Sequence, residues 1–225
     1  MSGIDELKWV QASLEQQGIM FWIDSGTLLG IIREGALLDN DNDLDLGVWA
    51  DDEDKLLSVA NYFKEKGYNI FIRSYLGEKF KFRFVPNKNN MKLEIDINLF
   101  RRKSSYAWCP QVFRIDNPYN YGSILYYLSG LPRYFIQKCY KNKSQAEVTT
   151  WPWHLTYRVY SWWVPAHFYD NIIKIDEGFP VPKNYQEYLT FRYGDWRIPN
   201  KNWSFFTDDR AIKYIKPEDL TGKLR

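Results

Sequence analysis

The chain has 225 residues, 45% of them hydrophobic, enough for one substantial domain or two small ones and too apolar for a disordered segment. Lysine and arginine exceed aspartate and glutamate by only 30 to 28, so no overall field argues for a nucleic-acid partner. Cys109 and Cys139 are the only cysteines, too few for a disulfide framework and not spaced as a zinc site. With no signal-like start and no window near the ~18 apolar residues of a membrane span, the expectation is a cytoplasmic chain.

In chain order, residues 4–17 carry Leu7, Val10 and Leu14 at helical spacing, and 19–23 ("IMFWI") read as a short buried strand. The loop "DSGT" leads into a second helix, "LLGIIRE", and 43–49 ("DLDLGVW") alternate polar with apolar as a half-buried strand does. The acidic stretch that follows predicts a helix with carboxylates at its positive N-terminal end and Gly67 at its stop. Residues 69–73, 79–85 and 91–99 predict three further strands, which makes the first hundred residues an α+β mixture. Beyond 101 the chain is dense in aromatics with broken periodicity. Order returns at "VPKNYQEYLTFRYGDW", where Asn184 and Glu187 suggest a capping box and Gly194 a helix exit.

The chemistry concentrates in "GALLDNDNDLDLG". Asp39, Asp41, Asp43 and Asp45 alternate there, and so many neighbouring carboxylates repel unless a cation or basic groups compensate. Asp39, Asp41 and Asp43 match the first ligands of an EF-hand, but Leu44 and Ala50 stand where that loop needs Gly and Glu. On a strand, Asp43 and Asp45 share a face while Leu44 and Leu46 point into the core, a ready divalent-metal pair. In "MKLEIDINLF" the apolar Leu93, Ile95, Ile97 and Leu99 leave Glu94, Asp96 and Asn98 on the other face. Asp96 is the preferred third ligand. Upstream, the turn at Gly26 offers backbone amides, Thr27 a hydroxyl and Arg33 a forked cation for phosphate oxygens.

"GTLLGIIREGALLDNDNDLDLG" resembles the signature of the LicD/fukutin phosphotransferases, a branch of the polymerase-beta-like nucleotidyltransferase fold. "EIDINLF" resembles that family's third-carboxylate strand, and "VPKNYQEYLTFRYGDWRIP" its C-terminal motif. "LLDN" replaces the usual Pro-Trp before the acidic cluster, and residues 101–175 match none of the motifs.

The resemblance implies a nucleotidyltransferase-like mixed sheet with flanking helices over residues 1–100. An aromatic-rich, mainly helical part over 101–225 would pack on it and complete the substrate site. It further implies a transfer, dependent on Mg²⁺ or Mn²⁺, of a phospho-alcohol such as phosphocholine or an alditol phosphate. The donor would be CDP-linked, the acceptor a sugar hydroxyl of an oligosaccharide or polysaccharide, as in capsule or lipopolysaccharide biosynthesis, and CMP would leave. In that reading Asp43, Asp45 and Asp96 are catalytic metal ligands, while Gly26, Thr27, Gly30, Arg33 and Asp41 contact substrate. Arg192, Tyr193 and Asp195 join them through the C-terminal motif, and Asp41 or Asp96 takes the acceptor's proton.

Three alternatives stay open for "YRVYSWWVPAHFYD": core edge, a platform for a glycan, or a patch on a membrane carrying a lipid-linked acceptor. His154 and His167 read as packed or surface histidines. Transfer of a nucleoside monophosphate from an NTP, and a non-catalytic glycan-binding module, are the rival functions.

Overall fold

The computed structural model describes residues 2–39, 41–75, 78–87, 93–114, 145–148 and 157–214. Helix α1 (Gly3–Gln16) starts from a capping box in which Ser2 and Asp5 each accept the other's backbone N–H, and it buries Leu7, Val10 and Leu14. Strand β1 (Phe21–Ile23) runs straight into α2 (Ser25–Glu34). The expected loop "DSGT" is thus the first turn of the helix, because the Asp24 carboxylate caps it by accepting the Ser25 N–H.

Strand β2 (Asp43–Trp49) follows, then a 3₁₀ turn and α3 (Glu53–Glu65), whose Leu56, Val59, Ala60 and Phe63 face the core. Strands β3 (Tyr68–Tyr75), β4 (Glu78–Pro86) and β5 (Glu94–Lys103) lie where the alternation predicts them. Strand β5 continues past residue 100, the expected division of the chain, and so belongs to both parts.

Among the described residues after 101, strands β6 (Tyr106–Arg114), β7 (Gln145–Val148), β8 (Tyr157–Pro165), β9 (Ile172–Lys174), β10 (Pro180–Pro182) and β11 (Ile212–Tyr214) outnumber the one α-helix, α4 (Tyr185–Tyr193). The expectation of a mainly helical C-terminal part is corrected for these residues. Many of their aromatics pair across strands, as in the Trp108–Trp163 stack between β6 and β8. The capping box expected at Asn184 is also absent, since its side chain makes no cap hydrogen bond. Gly194 does leave the helix at φ 69, a conformation open to glycine.

Among the described residues, nine strands form one sheet in the order β11-β8-β6-β5-β4-β3-β7, with β2 parallel to β5 and β1 antiparallel to β2. Leu44, Leu46 and Val48 of β2 pack with Ile95, Ile97 and Leu99 of β5 and with Phe82 and Phe84 of β4 in the core. The opposite face of these strands carries the polar residues, and Gly47 on that face admits the Trp22 ring: a Cβ at position 47 would lie 2.2 Å from Trp22 Cε2. Trp22 in turn stacks on Tyr169 at 4.4 Å, so much of the aromatic content is core. No helix among the described residues is long and apolar enough to cross a membrane.

Candidate active site

The parallel register sets Asp45 opposite Asp96 and Asp43 opposite Glu94. Carboxylate oxygens of Asp43, Asp45 and Asp96 all lie within 4.8 Å of one another. Glu94 stands outside that group and pairs with Arg83. Crowding has the electrostatic result anticipated from the sequence: burial and the Asp43 charge push the Asp45 carboxyl well above its ordinary range. Burial, with the hydrogen-bonded Asp43 beside it, pushes Asp41 up to about 7.

Lys81 Nζ donates to Asp96 Oδ2 at 2.8 Å. Asp96 Oδ1 is buried without a hydrogen-bond partner, with Arg83 Nε 3.7 Å away. A buried, unsatisfied carboxylate oxygen beside two mutually repelling carboxylates is a donor set suited to a hard divalent cation.

The backbone of Asp45 is gripped from α2. Its C=O accepts the Asp24 N–H at 3.0 Å, and its N–H donates to Thr27 Oγ1 at 2.8 Å. The sequence offered the Thr27 hydroxyl to a phosphate, but Thr27 is fully buried and its hydroxyl holds the strand instead. Gly30 is likewise a packing residue: a Cβ there would lie 2.7 Å from Ala36 O and 2.9 Å from Leu38 N. Gly26 stands at the start of α2 against Asp41, whose Oδ2 a Cβ would meet at 2.6 Å.

A cleft of about 730 Å³ opens over this region. Gly26, Arg33, Asp41, Asp45, Arg192, Tyr193 and Asp195 of the predicted residues line it, together with Trp162, Trp196 and Trp203. Arg33 donates Nε to Glu34 at 2.7 Å and Nη1 to the Trp196 carbonyl at 3.2 Å, tying α2 to the segment after α4. Asp195 is exposed and Tyr193 half-buried. Arg192 is only 1% exposed and is committed to Asp209 through Nε and Nη2, at 2.8 and 2.6 Å.

His167 is exposed, and His154 lies outside the described residues. Cys109 is buried, with its thiol pushed up to about 12 by desolvation, and Cys139 lies outside the described residues.

Sequence reasoning missed Lys81, Asp24, Tyr188 and Asp209. Lys81 sat in plain view in "EKFKFRF", where basic residues alternate with phenylalanines opposite the acidic strand. Asp24 before "SGT" carries the ordinary mark of a helix cap. Tyr188 and Asp209 had no signal, because only the tertiary fold brings Tyr188 to Asp24 and Asp209 to Arg192.

Residues 18–121, spanning β1, α2, β2 and β5, match the LicD/FKTN/FKRP nucleotidyltransferase domain. This stretch is a LicD/FKTN/FKRP-type domain. The chain is similar to an uncharacterized protein of Rickettsia prowazekii, 38% identical over 63 residues, which are 28% of this chain and 24% of that protein. The mouse ribitol 5-phosphate transferase FKRP is 25% identical over 95 residues, 40% of this chain and 18% of the relative. The chain therefore spans no more than about a quarter of the length of these relatives. Helix α4 and its "RYGD" end lie beyond the matched residues.

Proposed function

We propose that the chain is a metal-dependent phosphotransferase that moves a phospho-alcohol from a CDP-linked donor to a sugar hydroxyl of a glycan, releasing CMP. The observation that carries this reading is the convergence of Asp43, Asp45 and Asp96 on two parallel strands, with Asp96 Oδ1 unsatisfied, beside a cleft floored by Gly26. Residues 1–100 would supply this core, and the described part of 101–225 would complete the substrate site through Trp162, Tyr193 and Asp195. The LicD/FKTN/FKRP domain match and the similarity to the ribitol 5-phosphate transferase support phosphoryl transfer to a glycan as the class of reaction.

Asp43, Asp45 and Asp96 would hold Mg²⁺ or Mn²⁺, which when bound offsets the diphosphate charge and that of the departing CMP. Gly26 at the head of α2 and the Arg33 guanidinium would orient the phosphates through backbone N–H groups and a forked cation. The acceptor oxygen attacks the phosphorus bearing the alcohol, the bond from that phosphorus to the CMP oxygen breaks, and the acceptor proton passes to Asp41 Oδ2. Asp41 suits this better than Asp96, because Lys81 already donates to Asp96 Oδ2. The aromatic rim would seat the alcohol or the sugar, and a lipid-linked acceptor would bring the chain to the cytoplasmic face of a membrane.

Product analysis tests this directly. Incubation with Mg²⁺, a panel of CDP-alcohols and NTPs, read by mass spectrometry, is expected to give CMP from a CDP-alcohol. Pyrophosphate from an NTP would mean nucleotidyl transfer instead. Sugar binding indifferent to chelator, without turnover of any donor, would mean a binding module.

A further inference from the structure

Beneath the cleft lies a cluster of ionisable groups that the reaction above does not use. Asp24 and Tyr188 are 0% exposed, Arg192 and Tyr169 1%, Asp209 4% and Ser25 5%. Arg192 spans the cluster, its fork on Asp209 and its Nη1 donating to the Tyr188 hydroxyl at 2.6 Å. Tyr188 in turn donates to Asp24 Oδ1, and the Tyr169 hydroxyl lies 3.4 Å from Asp24 Oδ2. The same Arg192 nitrogen reaches Ser25 Oγ at 3.5 Å.

Burying two carboxylates with one guanidinium is not a general route to stability, since well-packed apolar residues of similar volume often serve as well or better. What the cluster provides is placement. Ser25 stands at φ 49, a left-handed conformation that is costly for a residue with a Cβ. Its N–H is held by Asp24 Oδ1 at 2.8 Å and its hydroxyl by Arg192, immediately before Gly26. The backbone N–H of Asp24 binds the carbonyl of Asp45. One continuous path therefore runs from Asp209 through Arg192, Tyr188 and Asp24 to the backbone of an acidic-triad residue.

We infer that Tyr188 and Arg192 of α4 are positioning residues, whose buried links through Asp24 set the place of the Asp45 carboxylate and of the turn at Gly26. This inference rests on the metal-site reading proposed above. It also gives Arg192 a role other than contact with substrate, since its fork is spent on Asp209.

The test uses the full chain and Mn²⁺ binding followed by electron paramagnetic resonance. Tyr188→Phe keeps the ring that packs on Phe168 and Tyr169 but removes the hydroxyl linking Arg192 to Asp24. The variant is expected to stay folded and to bind Mn²⁺ about tenfold more weakly, the scale on which outer-shell partners act on a metal. Val59→Ala in α3, outside the cluster, controls for simple loss of stability and is expected to leave the affinity unchanged. Undiminished binding by Tyr188→Phe, or equal weakening in Val59→Ala, overturns the inference alone. Absence of Mn²⁺ binding by the wild-type chain overturns the metal-site reading and the inference with it. Weakened binding in Tyr188→Phe alongside a wild-type chain that turns over no CDP-alcohol leaves the inference standing and removes the proposed reaction.

Discussion

Thr27→Val separates two roles for a residue that sequence and structure read differently. The side chain is fully buried and its Oγ1 accepts the Asp45 N–H at 2.8 Å. Valine has nearly the same shape and no acceptor. The stranded N–H costs about 1–3 kcal/mol, and a buried methyl in place of the hydroxyl returns at most ~0.8 kcal/mol. A net loss of about 0.2–2 kcal/mol in a chain of this size lowers the melting midpoint by up to roughly 8 °C. Thr27→Ser keeps the oxygen and loses a buried methyl, so it destabilises by a similar ~1 kcal/mol. Stability alone therefore does not discriminate, but Mn²⁺ binding does: Thr27→Val frees Asp45 and is expected to weaken it, whereas Thr27→Ser is expected to preserve it. A direct phosphate contact at Thr27 would instead raise the donor KM in Thr27→Val and leave Mn²⁺ binding untouched. That pattern, with a wild-type melting midpoint, would refute the clasp between α2 and β2.

Three further outcomes follow from the same geometry. Gly47→Ala drives a Cβ to 2.2 Å from the rigid, fully buried Trp22 ring and is expected to cost about 3 kcal/mol or more, seen as a large fall in the melting midpoint. Gly26→Ala meets only the end of the Asp41 side chain, at 2.6 Å, so the fold should survive while kcat falls at least about 10²-fold if Asp41 accepts the proton. In chelator, Asp41 holds its proton up to about pH 7 in the folded chain and only to about 3.8 when unfolded, so stability should fall as pH rises through that window. At about 1.4 kcal/mol per pH unit the limit is ~4 kcal/mol, and solvent around the part-exposed carboxylate reduces it to about 1–2 kcal/mol. Melting curves from pH 4 to 8 should show the decline, and Asp41→Asn should make it shallower, leaving the part that comes from the raised Asp45 carboxyl.

The strands that carry the acidic residues were legible because each alternates cleanly. Leu44, Leu46 and Val48 specify one face of β2, Ile95, Ile97 and Leu99 one face of β5, and Asp43, Asp45 and Asp96 are left on the other. What the alternation does not contain is the pairing of β2 with β5, which comes from the sheet order. The roles of Thr27 and Gly30 were misassigned because a glycine-rich helix start offers the same residues to a phosphate or to a neighbouring strand. Only burial tells these apart. Arg192 shows the same ambiguity at larger scale: a forked cation near a cleft suits phosphate, yet Asp209, 17 residues away, takes the fork. The strands described beyond residue 101 went unread for a different reason. Their aromatics serve cross-strand stacking and core filling together, so their positions follow no single period.

The central claim is that Asp43, Asp45 and Asp96 form a divalent-metal site. Its most direct measurement is a Mn²⁺ titration of the purified chain beside Asp43→Asn, with circular dichroism to establish that both are folded. Saturable binding by the wild type that is abolished in folded Asp43→Asn is the predicted result. Equal binding by both, or none by either, would contradict it.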